Sequence, residues 1–220
     1  MSHFAVLVIG PNYVDQLAPF QENNCGTCPE EYLAFDDREA EKTEEYEKGS
    51  TQYVVMPDGT FALPWEERFK VRSEGSSFDH TEIPDNLERR DIPFNKTYPT
   101  LEAYAKDWCG MERDPEVGRF GFWSNPNAKW DWHEVGGRFA DRLALADGEF
   151  GDCATVGELV DTDLKVFAVV KDGEWYERGG MGWFAWVRNE KDEDVWCAEL
   201  KTLLEGLPPE TMLTIVDCHI

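Results

Sequence analysis

The chain has 220 residues, of which 41% are hydrophobic and 13% aromatic, and it carries 45 Asp and Glu against 21 Lys and Arg, a formal net charge of -24. This length and apolar content bury a sizeable core and suit a single domain, 1–220, while the charge predicts solubility and repulsion from nucleic acid and anionic membrane surfaces. A membrane span needs about 18 to 20 apolar residues; nothing here approaches that, and the opening lacks the basic flank of a signal peptide, so the expected location is the cytoplasm.

Residues 4–9 form an unbroken apolar run that stops at Gly10-Pro11, as in a strand buried on both faces. Asn12 is expected to cap a short helix that presents Val14, Leu17 and Ala18 and ends at Pro19. Over 22–99 the sequence turns acidic and polar and reads as an excursion from the core. Within it, 53–56 and 60–63 flank Pro57-Asp58-Gly59 as a small hairpin, and 73–93 reads mostly as loop.

Thr100 is placed to cap a helix on which Leu101, Tyr104 and Trp108 recur at helical spacing. Val135, Phe139 and Leu143 suggest a second helix after Trp132, with Gly136-Gly137 inside it as either a close contact or a loop. Thr155 and Glu158 have capping-box spacing. A strand over 166–170, the turn pair Asp172-Gly173 and a return over 174–176 predict a hairpin, followed by a third strand over 181–187. Asn189 then caps a helix bearing Trp196, Leu200, Leu203 and Leu207, closed by Gly206 and Pro208-Pro209, and 212–216 is the final strand. The order predicts an α+β fold: a mainly antiparallel sheet with helices on one face, a ferredoxin-like core with a long insertion.

The six cysteines are 25, 28, 109, 153, 197 and 218. Cys25-Gly-Thr-Cys28 has the spacing of a redox dithiol or half a zinc site, yet it follows a helix and no second pair completes a ligand set, so incidental thiols are expected, with no metal and no cofactor. The densest constellation runs from Asn125 to Arg138. Lys129, Trp130, Trp132, His133 and Arg138, with a glycine pair among them, suit a pocket for an anionic or planar ligand. Equally, Trp130 and Trp132 suit packing anchors, with Asp131 bonding Arg138 or a backbone amide. The aromatic, glycine-rich stretch 175–184 either lines the same cleft or covers the sheet. His133 and His219 are candidate bases, and strand alternation puts Asp217 and His219 on one side with Cys218 facing away. No acid, base and nucleophile set emerges from the spacing, so no catalytic residue is assigned and a non-enzymatic role is expected.

The opening Met1-Ser2-His3-Phe4-Ala5-Val6-Leu7-Val8-Ile9-Gly10, the stretch Leu17-Ala18-Pro19-Phe20, the block Lys129-Trp130-Asp131-Trp132 with Gly136-Gly137-Arg138, the segment from Asp172 to Gly179, and the closing Val216-Asp217-Cys218-His219-Ile220 resemble a family of uncharacterised bacteriophage and prophage proteins. The resemblance runs from end to end and implies a small accessory protein made in an infected bacterium. It assigns no activity to any residue.

Two classes of function follow. In the first, Glu39, Glu41, Glu44, Glu45 and Glu47 present a negative surface to a host protein with a basic nucleic-acid-binding site, as nucleic-acid mimicry. In the second, Lys129, Trp130, Trp132, His133 and Arg138 bind or process a small anionic, nucleotide-like molecule.

Overall fold

The apolar run at the N-terminus forms the centre of a sheet. In the computed structural model, which describes residues 2–72, 78–160, 164–182 and 186–220, strand β1 (His3–Ile9) leads into helix α1 (Tyr13–Leu17). The other strands of this sheet are β2 (Trp132–Val135), β3 (Cys153–Thr155), β4 (Ala168–Lys171) and β5 (Glu174–Glu177), then, after helix α2 (Glu193–Leu204), β6 (Met212–His219). Their order is β3-β6-β1-β4-β5, and β2 also pairs with β6. Strand β6 runs antiparallel to β1 from His3 opposite His219 to Ile9 opposite Leu213. Its other edge is shared: β3 pairs at Met212 to Thr214 and β2 at Val216 to His219.

Both faces of β1 are buried, as an unbroken apolar run requires. Ala5, Leu7 and Ile9 face Leu213, Ile215 and the α2 residues Trp196, Leu200 and Leu204. Phe4, Val6 and Val8 face Leu17, Phe20, Trp130, Val216 and Cys218. Full burial of each such side chain is worth about 1.5 to 3 kcal/mol. Trp196 is seated in the core because its indole Nε1 donates to the Val166 carbonyl at 2.8 Å.

The α+β class and the mainly antiparallel sheet are as expected, with two corrections of arrangement. The helices do not share one face, since α2 packs on the odd-numbered side of β1 and α1 on the even-numbered side. The strand order is not ferredoxin-like. That fold splits its βαβ unit with an intervening strand, whereas β1 and β4 are direct parallel neighbours, Val6 opposite Ala168.

Local expectations divide by whether short-range chemistry decides them. The Asp172-Gly173 turn forms with φ of 53° and 79°, which aligns Lys171 with Glu174. Thr155 and Glu158 make the reciprocal capping box. The helix expected after Trp132 is absent. Trp132 to Val135 instead extends along β6, Gly136 and Gly137 take positive φ of 68° and 52°, and Leu143 pairs with Gly151. Asn12 sits at φ 55° without a side-chain cap, and Pro19 lies within a 3-10 turn, Ala18–Phe20, rather than ending the helical segment. Asn189 also has positive φ, and α2 starts later, after Asp192. Of the single strand expected over 181–187, Met181 and Val187 instead lie opposite each other in an antiparallel ladder. Trp183 and Phe184 fall outside the described residues.

By contact density the chain separates into two compact units, Met1–Ala34 with Trp123–Ile220, and Phe35–Phe122. The second unit overlaps the stretch 22–99 over residues 35–99. In this second unit, Ser50–Val55 pairs with Phe61–Ala62 around the Pro57-Asp58-Gly59 turn and with Glu88–Pro93 on its other edge. Thr100 caps Leu101–Asp107 through the Ala103 amide at 3.1 Å. Strands Asp79–Thr81 and Glu88–Pro93 occupy part of the expected loop. Their side chains are mostly exposed, so no apolar alternation marks them. No described helix is long and apolar enough to cross a membrane.

Leu7 is fully buried in the central strand. Leu7→Ala is expected to lower the unfolding free energy by about 3 kcal/mol in a urea titration; a loss under about 1 kcal/mol would contradict its position.

Candidate functional site

The alternation of β1 and β6 continues past the apolar core and places polar groups at its end. On the α2 face, Leu213 and Ile215 are followed by Asp217 and His219, and Ala5 is preceded by His3. Asp217 is 1% exposed. Its Oδ1 lies 2.9 Å from His3 Nδ1, and its Oδ2 accepts the Arg138 amide at 2.9 Å. A carboxylate buried this deeply is tolerated only when both oxygens are bonded. The Gly136-Gly137 turn makes that possible: a Cβ on Gly137 would lie 2.6 Å from Asp217, and one on Gly136 would collide with Asp152. Beside this pair stands a second, His219 Nδ1 to Asp131 Oδ1 at 2.5 Å. The two imidazoles meet edge to face, with centroids 5.0 Å apart, and Trp132 stands against His3 at 6.3 Å.

His3 also lines a cleft of about 270 Å³ on the α2 side of the sheet. Around it stand Arg142, Lys165 and Arg178, with Glu193 as the acidic group among the described lining residues and Phe139, Val166 and Trp196 as apolar walls. Arg142 is held by donating from Nη1 to the Lys165 carbonyl at 2.9 Å and by lying over the Phe139 ring at 4.9 Å. Arg178 Nε lies 2.9 Å from Glu190 Oε1. Three cationic residues and a histidine thus line one small concavity in a chain of net charge -24, with Arg142 and Arg178 engaged by the Lys165 carbonyl and by Glu190.

Of the five expected ligand residues, Trp130, Trp132 and His133 line one concavity, while Lys129 and Arg138 lie apart from it. Lys129 pairs with Glu177 at 2.9 Å, and Glu177 also accepts from Trp175 Nε1. Trp130 is a packing anchor, buried, with its Nε1 donating to the Leu17 carbonyl at 3.0 Å. His133 projects from β2 to that same face, opposite Cys218, and packs on Trp130 at 4.8 Å. Trp132 lies opposite His219 and is exposed, while Arg138 contributes its backbone amide to Asp217 and leaves its side chain exposed. Asp131 bonds His219 rather than Arg138. The concavity beside Trp130, Trp132 and His133, of about 270 Å³, also takes in Asp131, Val14 and Gln21.

Cys218 faces away from Asp217 and His219 into the core, where burial pushes its thiol pKa well up. Cys25 and Cys28 are free thiols, the second buried against Asn125. Among the described residues no group of His, Cys, Asp and Glu is arranged to hold a metal ion.

The acidic side chains expected to meet a partner lie on helix Glu39–Lys48 of the second unit and are largely engaged within it. Glu39 pairs with Arg113 and accepts the Phe120 amide, which holds its carboxyl below the usual range. Glu41 pairs with Arg38 and Lys42, Glu44 with Lys48, and Glu45 with Lys42 and the Tyr104 hydroxyl. Glu47 is exposed.

Sequence reasoning passed over His3, Arg142 and Lys165, and took Arg178 only as part of the stretch 175–184. Only the alternation of β1, which puts His3 in register with Ala5, Leu7 and Ile9, signalled one of them. The cations come from three separate segments that only the fold gathers. No protein-family model matches this chain, and no curated protein or solved structure matches it.

Two measurements test the site's framework. Gly137→Ala combines left-handed strain with the Asp217 clash and is expected to cost about 2 kcal/mol or more in urea, whereas Gly173→Ala, with positive φ and open space, loses about 1 kcal/mol. Equal losses would mean that Gly137 is not needed for space. His133 has a pKa lowered by burial from 6.5. The unfolded chain then binds a proton that the native chain refuses, so this residue's contribution is intact above about pH 6.5 and is lost as pH falls below it. His133→Phe is expected to flatten the decline in melting temperature between about pH 7.5 and 5.5; an unchanged slope would assign the decline to other groups.

Proposed function

We propose that this protein binds a small anionic ligand, of the size of a nucleotide or sugar phosphate, in the cleft lined by His3, Arg142, Lys165 and Arg178. The observation that supports this reading is the gathering of those groups around one concavity of about 270 Å³ in a chain whose net charge is -24. Cations are scarce in this chain, and many lie in surface ion pairs with neighbouring carboxylates, such as Lys48 with Glu44 or Lys70 with Glu67, as Arg178 does with Glu190. The aromatic and aliphatic walls lower the local dielectric and strengthen attraction to a bound anion. Long nucleic acid is disfavoured as a ligand, because the remaining acidic surface repels an extended polyanion while a small one fits within the cleft.

The acidic-surface reading, with Glu39, Glu41, Glu44, Glu45 and Glu47 docking a basic host protein, has less to support it. Most of those carboxylates already have cationic partners in this chain. Such exposed pairs are individually weak, yet each reduces the charge left for a partner.

Differential scanning fluorimetry with inorganic phosphate, nucleoside monophosphates and sugar phosphates tests the cleft directly. A ligand at about 100 times its Kd stabilises by about 2.7 kcal/mol, which for a chain of this size raises the melting temperature by about 5 to 10 °C. Arg142→Ala combined with Lys165→Ala is expected to abolish the shift. A panel without any shift, or a shift that survives the double substitution, would overturn the assignment.

A further inference from the structure

We infer that the cleft is catalytic, with His3 transferring a proton during cleavage of a small phosphodiester that carries a hydroxyl group next to the phosphorus, as a ribonucleotide linkage does. This deepens the anion-binding reading and rests on it.

A proton-transfer imidazole needs a fixed tautomer, because only its unprotonated ring nitrogen can take up a proton. His3 Nδ1 faces a carboxylate that is 1% exposed. That carboxylate is buried, and its second oxygen is already taken by the Arg138 amide. The bond therefore places the proton of neutral His3 on Nδ1 and leaves the Nε2 lone pair as the basic site; it also stabilises the imidazolium once Nε2 is protonated. Ring rotation is restrained from the other side by His219, itself held by Asp131. Asp217 and His219 are thus positioning residues, and His3 is the group that meets the substrate. The glycine turn at Gly136-Gly137 supports the same arrangement, since a side chain at Gly137 would displace Asp217.

The substrate class follows from what surrounds His3. Arg142, Lys165 and Arg178 line the cleft beside His3, and guanidinium and ammonium groups suit the non-bridging oxygens of a phosphodiester and the charge that builds on them during displacement. A hydroxyl held next to the phosphorus is a nucleophile of very high effective concentration, so its deprotonation is the main task left to the protein. In the forward step, His3 Nε2 removes the hydroxyl proton as that oxygen attacks phosphorus and a new P–O bond closes a cyclic phosphodiester. The P–O bond to the leaving alcohol breaks, and the proton passes from His3 to the departing oxygen. One P–O bond forms and one breaks, His3 returns to its neutral state, and no oxidant, reductant or water is consumed.

The full-length protein is to be incubated with the complete set of ribodinucleoside monophosphates and, separately, with the matching 2′-deoxy set, with binding followed by melting temperature and products by chromatography. The expected result is that both sets stabilise the protein but only the ribo set is cleaved, to a 2′,3′-cyclic phosphate and a free nucleoside. His3→Gln is expected to lower kcat by about 100-fold or more with KM changed by less than about 3-fold. Asp217→Asn is expected to lower kcat by about 10-fold or more, again without a matching rise in KM, which a loss of folding alone would not produce. Stabilisation by the ribo set without cleavage would overturn the catalytic inference and leave the binding reading standing. Cleavage that persists in His3→Gln, or that extends to the deoxy set, would also overturn it. If neither set stabilises the protein while phosphate or sugar phosphates do, the substrate class is wrong; if nothing in either panel binds, both readings fall together.

Discussion

Two neighbouring strands that lie far apart in sequence hold the first unit together: β1 and β6 pair antiparallel along their length, from His3 opposite His219 to Ile9 opposite Leu213. That register does two things at once. Toward the middle it stacks Leu7 against Ile215 and Val6 against Val216, so both faces of the sheet are apolar and each receives a helix. Toward the end it brings His3, Asp217 and His219 to one face. A shift of one residue would turn Asp217 into the Phe4 and Val6 layer and carry Cys218 out of it. The hydrophobic packing that specifies the register therefore also specifies the polar cluster.

Burying Asp217 is unfavourable in isolation, and the surrounding structure offsets the cost by bonding both carboxylate oxygens. The glycine pair ahead of Arg138 belongs to that compensation. Its backbone enters the left-handed region where the β2 ladder with β6 ends, and this turn points the Arg138 amide at Asp217. Position 137 has no room for a side chain. The two His–Asp pairs and the glycine turn thus form one connected arrangement beside the cleft, at one end of the sheet's central strands, where a site holds its geometry better than on a loop.

Charge is distributed on a different logic. The net of -24 keeps the outer surface negative, and the helix Glu39–Lys48 that looks densest in acid is stitched by ion pairs to Arg38, Lys42, Lys48 and Arg113. Composition measured excess acid along the chain; it did not register which carboxylates had cations beside them. The cleft inverts this picture, since Arg142, Lys165 and Arg178 lie apart in sequence and collect in space.

Features governed by neighbouring residues were legible in the sequence. The buried strand over 4–9, the Asp172-Gly173 turn, the Thr100 cap and the Thr155–Glu158 box depend on side-chain size, alternation or a bond spanning a few residues, and each formed. So did the placement of Asp217 and His219 on one side with Cys218 on the other, which alternation alone dictates. What failed was whatever a distant partner decides. The Val135, Phe139 and Leu143 spacing imitates a helix, but β6 offered a free edge to Trp132–Val135 and the adjoining glycines turned the chain away. Helices fell on opposite faces, and β4 joined β1 directly, because two-sided burial of an apolar strand needs cover on both sides. Lys129, Trp130, Trp132, His133 and Arg138, adjacent in sequence, were dealt to different faces, while His3 found Asp217 from the far end of the chain. Local chemistry sets the elements; only long-range pairing, whose partners no short window contains, decides which of them share a site.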